Sequence, residues 1–303
     1  MDQRVPKPTT LITGATGFIG SHLVRRLAHE GWRVHALVRP GSDGLCWGEV
    51  ANAVEIHTYD GYTEDVMRAV QSAAPDIIFH LAGCISPQEE LQDVEPLILS
   101  NVLVGTQLLM AMRLHRVPLL VNTGTIAQWH ENRERVPRNL YGATKQAMED
   151  IISYFSKVHA ISCVTLQFCT TYGPGDTNNR LIPLLQRSAH EQTPVTFAPG
   201  EQYLCMLYIE DVVDAFCIAA DRLLEGKTQG HDTHQVYADD PMTLREFVAL
   251  IERITGTKIT VKWGGTPYRA REMMEPPRIV SPLPGWRQQI SLEQGMRGMF
   301  TCL

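Results

Sequence analysis

Tyr141 and Lys145 stand four residues apart in the stretch YGATK. On a helix this spacing puts both side chains on one face, about one turn apart. A phenol and an ammonium in one cleft suit general acid/base work between a carbinol and a carbonyl. The cation favours the phenolate and would lower the tyrosine pKa toward working pH. The same spacing also fits a surface helix whose Tyr and Lys merely cover neighbours, so the surroundings must decide. The opposite stripe, Met148, Ile151, Ile152, Phe155 and Val158, is apolar at helical spacing and would seat the helix on a core. Upstream, LLVNTG ends a predicted strand with Thr123. Its hydroxyl could meet a substrate oxygen beside the tyrosine, or simply satisfy loop backbone.

A second group of residues could hold a dinucleotide. Gly14, Gly17 and Gly20 fall at G-x-x-G-x-x-G spacing in TGATGFIGSHL, between a predicted strand and a helix with Leu23, Val24 and Leu27 on one face. A tight turn after a strand needs free φ, close approach to a pyrophosphate excludes Cβ, and the helix N-terminus offers N–H groups to the anion. Thr16, Phe18 and Ile19 complete this loop. In HALVRPGSD, the end of the second predicted strand carries Val38 and then Arg39. An acidic residue there would bind the ribose hydroxyls and repel a 2′-phosphate. Arg39 can instead fork onto a phosphate, and Ser42 can add a hydroxyl. NADP(H) is therefore expected over NAD(H), the plainer alternative being that Arg39 is a solvated loop cation.

The elements that must position these groups are visible as alternation. TLIT, RVHALV, DIIFHLA, PLLVNTG and SCVTLQF read as strands. Helical patterns at 21–30, 63–73, 93–115 and 141–158 separate most of them. That order predicts an α/β fold, a Rossmann-type doubly wound parallel sheet covered on both faces. The expected organisation is a nucleotide-binding domain over 1–172, with a returning segment near 204–224, and a smaller substrate-binding lobe over 173–303. In the latter, TLREFVALIERITG is a helix with a Thr243/Glu246 capping box and a Gly256 stop, and SLEQGMRGMF is a final helix.

Bulk properties narrow the partners. A net charge of −6 without any Lys/Arg block argues for a small-molecule partner, with no nucleic acid and no membrane surface. The seven cysteines show no CxxC pair and no zinc-ligand spacing, so reduced thiols and no metal are expected. The N-terminus lacks a signal-peptide apolar region and no apolar run approaches membrane-spanning length, which predicts a cytoplasmic protein.

Together the motifs resemble the extended short-chain dehydrogenase/reductases, the NAD-dependent epimerase/dehydratase family acting on nucleotide sugars. The resemblance runs through TGATGFIGSHL, DIIFHLAG, NVLVGTQLL, the Thr123/Tyr141/Lys145 set, TTYGPGD and YIEDVVDAF to the closing GW and ISLEQGM. Within that family the chain is most similar to nucleotide-sugar 4-keto reductases of the CDP-abequose and CDP-paratose synthase type.

The resemblance implies roles. Tyr141 would be the general acid/base, Lys145 would bind the nicotinamide ribose, and Thr123 would orient the substrate oxygen. Asn101 would be a structural helix position near the site. Leu81, Ala82 and Gly83 would line the cofactor, Asp60 would face the adenine, and Phe168 and Thr170 would lie beside the nicotinamide. Substrate binding would fall to Thr123, Tyr141, Thr170, Asn179 and Arg180. Dimerisation through the helix near 93–115 is also implied, with Leu97, Val104, Leu108, Leu109 and Met112 as a stripe that suits either a partner or the sheet.

Three departures from the family pattern matter. Gly124 and Thr125 stand where the dehydratases carry an Asp–Glu pair. The link from Thr123 to Tyr141 is short. Leu204 occupies the position of an Arg that many relatives place on the substrate's phosphates, leaving Arg180, Arg269, Arg271 and Arg278 as candidates. The expected activity is NADPH-dependent reduction of a 4-keto sugar nucleotide. A 4-epimerase, a reductase of a non-sugar ketone and a non-enzymatic NADP sensor are the alternatives.

Overall fold

The structure is a computed structural model that describes residues 7–86, 90–130, 135–177 and 181–300. The first half alternates as expected except for one strand. β1 (Thr9–Thr13) leads through the glycine loop into α1 (Phe18–His29), followed by β2 (Arg33–Val38), β3 (Val54–Thr58), α2 (Thr63–Ala73) and β4 (Ile77–His80). β3 is not among the strands expected from the sequence, and it follows β2 with no α-helix between them. A long helical stretch follows as α3 (Val94–Ile98), a π-helical turn over Leu99–Leu103, and α4 (Val104–His115). Then come β5 (Leu119–Thr125), α5 (Leu140–His159) and β6 (Ser162–Phe168).

The second half is built from shorter pieces: β7 (Thr170–Tyr172), α6 (Leu181–Glu191), β8 (Val195–Phe197), β9 (Tyr203–Leu204) and β10 (Met206–Tyr208). These lead into α7 (Ile209–Leu224), β11 (His231–Val236), β12 (Met242–Thr243), α8 (Leu244–Thr255), β13 (Val261–Trp263) and α9 (Leu292–Phe300). The α8 caps match the sequence expectation. Thr243 and Glu246 bond reciprocally, and Gly256 ends the helix at φ +69°.

The central sheet is parallel, in the order β11-β6-β5-β4-β1-β2-β3. Its order reverses between β1 and β4, and open α/β sheets bind ligands at the carboxyl ends of strands flanking such a switch point. One face of the sheet packs on α1 and α7, where Leu23, Val24, Phe216 and Ala219 are fully buried. The other face packs on α2, α4 and α5 through Val66, Leu109, Met112 and Ile152. A third cluster joins α6, α8 and α9 around Phe247, Ile251 and Met296.

The stripe expected to offer a dimer surface turns inward. Leu97, Leu108, Leu109 and Met112 are buried, and Val104 is nearly so. These residues serve the fold, and the apolar side chains exposed on this stretch are others, among them Leu99, Leu103 and Leu114; Tyr154 and Val158 are exposed on α5. By length and composition the stretch Leu91–His115 is apolar enough to cross a membrane, contrary to the reading of short apolar runs, but half of it is buried within the chain.

α5 is placed with little freedom. Asn139 caps it, its side chain accepting from the Gly142 N–H at 2.9 Å. The helix then runs so close to the turn after β5 that a Cβ on Gly142 would lie 2.1 Å from the Ala127 carbonyl oxygen. Gly142→Ala must therefore push the start of α5 off β5. A loss of about 1–3 kcal/mol is expected, together with weakened turnover, because Tyr141 moves with the helix. Thermal denaturation and kcat on the same preparation check this outcome.

Candidate active site

A cleft of about 770 Å³ opens at the carboxyl end of the sheet. Gly14, Gly17 and Gly20 with Phe18 and Ile19 form one side, and Leu81 and Gly83 follow β4. Thr123, Tyr141 and Lys145 lie across from them, with Phe168 and Thr170 at the end of β6. Thr16, Ala82, Arg39, Ser42 and Asp60 lie outside this lining, on the loops that leave β1 to β4 at the same sheet edge. Arg39 and Asp60 are exposed and Ser42 partly so. Asn179 and Arg180 fall outside the described residues.

The glycine loop fits a pyrophosphate. Gly14 adopts φ +68°, and a Cβ there would lie 2.7 Å from the Ala82 nitrogen. A Cβ on Gly20 would lie 2.1 Å from the Gly14 oxygen, so only glycine lets α1 approach the loop. Gly17 caps α1 without any side-chain acceptor, leaving first-turn N–H groups to face an anion. The buried indole of Trp47 donates to the Ala15 carbonyl at 2.8 Å and braces the loop from behind.

Lys145 is buried, and its ammonium donates to the Thr123 carbonyl at 3.0 Å. Burial lowers its pKa to about 8. A Cβ on Gly83 would come within 3.2 Å of that nitrogen, so the glycine keeps the approach to the ammonium open. Asn101, in the π-helical turn, accepts from the Cys84 N–H at 2.8 Å. Its amide donates to the Cys84 carbonyl and to the Thr144 hydroxyl, both at 2.9 Å. It thus ties the exit of β4 to α5, a structural role in keeping with the resemblance.

Tyr141 departs from expectation. Burial raises its pKa to about 12, and a hydrogen bond with the Thr125 hydroxyl acts against that rise. Burial thus favours the protonated phenol, while the Lys145 ammonium is directed at the Thr123 carbonyl. The Thr123 hydroxyl is buried and has no hydrogen-bond partner among the described residues. A buried hydroxyl left unpaired is costly, and a substrate oxygen in the cleft would satisfy it.

Sequence reasoning misses two cleft residues. Thr125 reads there only as the absence of an acid. Its hydroxyl accepts from the Ala127 N–H at 3.2 Å, and its own N–H donates to Gln128 Oε1 at 2.9 Å. The Gln128 amide in turn donates to the buried carboxylate of Glu149, which also accepts from Gln167 at 3.3 Å. At Gly124 a side chain would have to displace Gln128, because a Cβ would lie 2.9 Å from Gln128 Oε1. Arg138 is the other omission. Its Nε donates to the Arg271 carbonyl at 3.0 Å and its Nη2 to Glu272 at 3.1 Å. Burial lowers its pKa while Glu272 opposes the shift.

Of the arginines considered from the sequence, Arg269 lines the cleft. Arg271 contributes its carbonyl to Arg138, and Arg278 stacks on the Tyr237 ring at 4.1 Å. Leu204 lines the cleft as an apolar wall.

A family model described as the NAD dependent epimerase/dehydratase family matches residues 10–232. The chain belongs to that family. Its glycine loop and its Tyr–Lys helix are thereby those of an oxidoreductase-type enzyme of the extended short-chain dehydrogenase/reductase group. A CDP-abequose synthase of Salmonella muenchen is 25% identical over 295 residues, covering 96% of each chain. A UDP-glucose 4-epimerase of Mycolicibacterium smegmatis is 27% identical over 313 residues, covering 95% of this chain and 96% of that one. Among solved structures, the Thermus thermophilus UDP-glucose 4-epimerase in complex with NAD has a TM-score of 0.78. It is 24% identical and covers 95% of this chain and 96% of that one, so the two share the fold.

The buried ammonium gives a stability prediction. Lys145 is harder to charge in the folded chain, where its pKa is about 8, than in the unfolded chain near 10.5. The folded state binds fewer protons between these values, so the penalty is full below pH 8 and gone above about pH 10.5. Lys145→Met should raise the thermal midpoint of the ligand-free protein at about pH 7, lose that advantage by about pH 10.5, and weaken dinucleotide binding. Melting curves across this pH range test the sign.

Proposed function

We propose that this enzyme reduces a 4-keto sugar nucleotide with NADPH. The observation that carries the reading is the buried Tyr141 phenol bonded to Thr125, in one cleft with an unpaired Thr123 hydroxyl and with no carboxylate at Gly124 or Thr125. A bound reduced nicotinamide supplies the hydride. Thr123 orients the substrate oxygen, and Tyr141 donates its proton to the oxygen as negative charge develops there. The phenolate left behind is stabilised by the Thr125 hydroxyl.

The NADPH choice rests on Arg39 in place of an acid at the end of β2, with Ser42 nearby in the turn. The similarity to a CDP-abequose synthase supports a nucleotide-sugar substrate. A diphosphate would be met by Arg138 and Arg269 rather than by the apolar Leu204. The second reading is a 4-epimerase, favoured by the relatives of that name and by neighbours described with NAD. An epimerase recycles its nicotinamide and consumes no reduced cofactor overall.

A screen of 4-keto nucleotide sugars with NADPH and NADH distinguishes the two. Absorbance loss with NADPH is expected, and Tyr141→Phe should abolish turnover while retaining NADPH binding. Comparable affinity for NADH, unchanged in Arg39→Ala, rejects the cofactor assignment. Interconversion of 4-hydroxy epimers without absorbance loss makes the enzyme an epimerase.

We also propose that two copies pair through the exposed side chains Leu99, Leu103 and Leu114 of the long helix and Tyr154 and Val158 of α5. Sedimentation should give a dimer that Leu103→Arg dissociates. A wild-type monomer at micromolar concentration rejects the pairing.

A further inference from the structure

Three ligating side chains meet on the sheet outside the cleft. β2 and β3 pair in parallel with His35 opposite Glu55 and Leu37 opposite His57. Side chains alternate along a strand, so His35, Glu55 and His57 project from one face. Their donor atoms cluster. His35 Nδ1 and His57 Nε2 share a hydrogen bond of 3.0 Å, and Glu55 places one carboxylate oxygen 3.7 Å from the first nitrogen and its other oxygen 3.7 Å from the second. The two rings stack with centroids 5.3 Å apart, and His35 is buried while Glu55 opens to solvent.

Zinc bonds of about 2.0–2.2 Å at tetrahedral angles put neighbouring donor atoms about 3.3–3.5 Å apart. A metal would take the place of the hydrogen shared by the two imidazoles, whose nitrogens need part by only a few tenths of an ångström on a scaffold of two hydrogen-bonded strands. We propose that His35 Nδ1, His57 Nε2 and the Glu55 carboxylate form a divalent transition-metal site that takes Zn²⁺, with water in the fourth position. Two imidazoles and one carboxylate are borderline ligands that suit zinc, whereas calcium and magnesium require oxygen-rich shells.

The site has a mechanical consequence. Among the described residues β3 ends the sheet and pairs with β2 alone. A metal bridging His35 to Glu55 and His57 would clip that edge strand to β2, whose far end leads into Arg39. A search for zinc spacing along the chain misses the set because strand pairing brings its ligands together from separate segments. The proposal is independent of the reading of the cleft.

The test uses full-length protein stripped with EDTA and desalted into buffer without chelators. Calorimetric titration with ZnCl₂ should give one site per chain, and saturating zinc should raise the thermal midpoint. Co²⁺ should bind with the intense visible absorption of a tetrahedral centre. Glu55→Gln, a change at an exposed position, and His57→Ala should each weaken zinc binding by about tenfold or more while leaving dinucleotide affinity intact. His29→Ala, at the exposed His29–Glu49 pair, should bind zinc as the parent does. Absence of stoichiometric zinc binding overturns the proposal. So does zinc binding that Glu55→Gln and His57→Ala leave unchanged, because the ion would then sit elsewhere.

Discussion

The buried bond from the Lys145 ammonium to the Thr123 carbonyl is the constraint on which the site depends. It joins α5 to the end of β5, the two elements that carry the groups facing the cleft. An ammonium taken out of water with one protein acceptor is costly, and its lowered pKa measures that cost. The fold maintains it through packing on the far side of the helix, where Met148, Ile152 and Phe155 are held in the sheet core. His80, buried beneath, stays neutral with its pKa lowered to about 3 by burial and by the same ammonium. Two cations are thus avoided in one dry volume, and the ammonium keeps N–H groups available on the Gly83 side.

What is legible in the sequence is what is local. The inner strands β1, β2, β4, β5 and β6 are largely buried and read mainly as apolar runs, so their order with the helices points to the fold class, whereas the edge strands β3 (VEIHT) and β11 (HDTHQV) carry no such signal. The glycine loop is legible because its geometry is fixed within a short stretch: a Cβ on Gly20 would collide with the Gly14 carbonyl at the other end of the motif. The Tyr141/Lys145 pair is legible because one helical turn relates its members.

What is illegible depends on partners distant in sequence. Arg138 acquires meaning only when Arg271 and Glu272, 133 and 134 residues on, close over it. Thr125 becomes visible through the Gln128–Glu149–Gln167 chain of bonds, which has no linear signature. The inward turn of Leu108 and Met112 follows from packing on the sheet, a choice that helical spacing alone leaves open. In the second half, strands of two or three residues are too short to show alternation, so nothing regular frames α6 in the sequence.

The replacement of a cleft cation by Leu204 need not leave a bound anion without a partner, because charge can be supplied from another element. Arg138 is held at the cleft wall in a fixed pose by a carbonyl on one side and a carboxylate on the other. Glu272 also approaches the Arg269 backbone N–H at 3.5 Å, so one carboxylate organises both arginine positions. A guanidinium has five donors in a planar fork, and Arg138 commits two of its nitrogens to these protein acceptors. The remaining donors can meet an anion without breaking the ion pair, and the pair itself removes most of the ordering entropy from that encounter. Moving the cation from the strand at Leu204 to the start of α5 therefore couples anion binding to the helix that carries Tyr141. A ligand held by Arg138 is positioned with respect to the phenol by the same helix start that Asn139 and Gly142 fix.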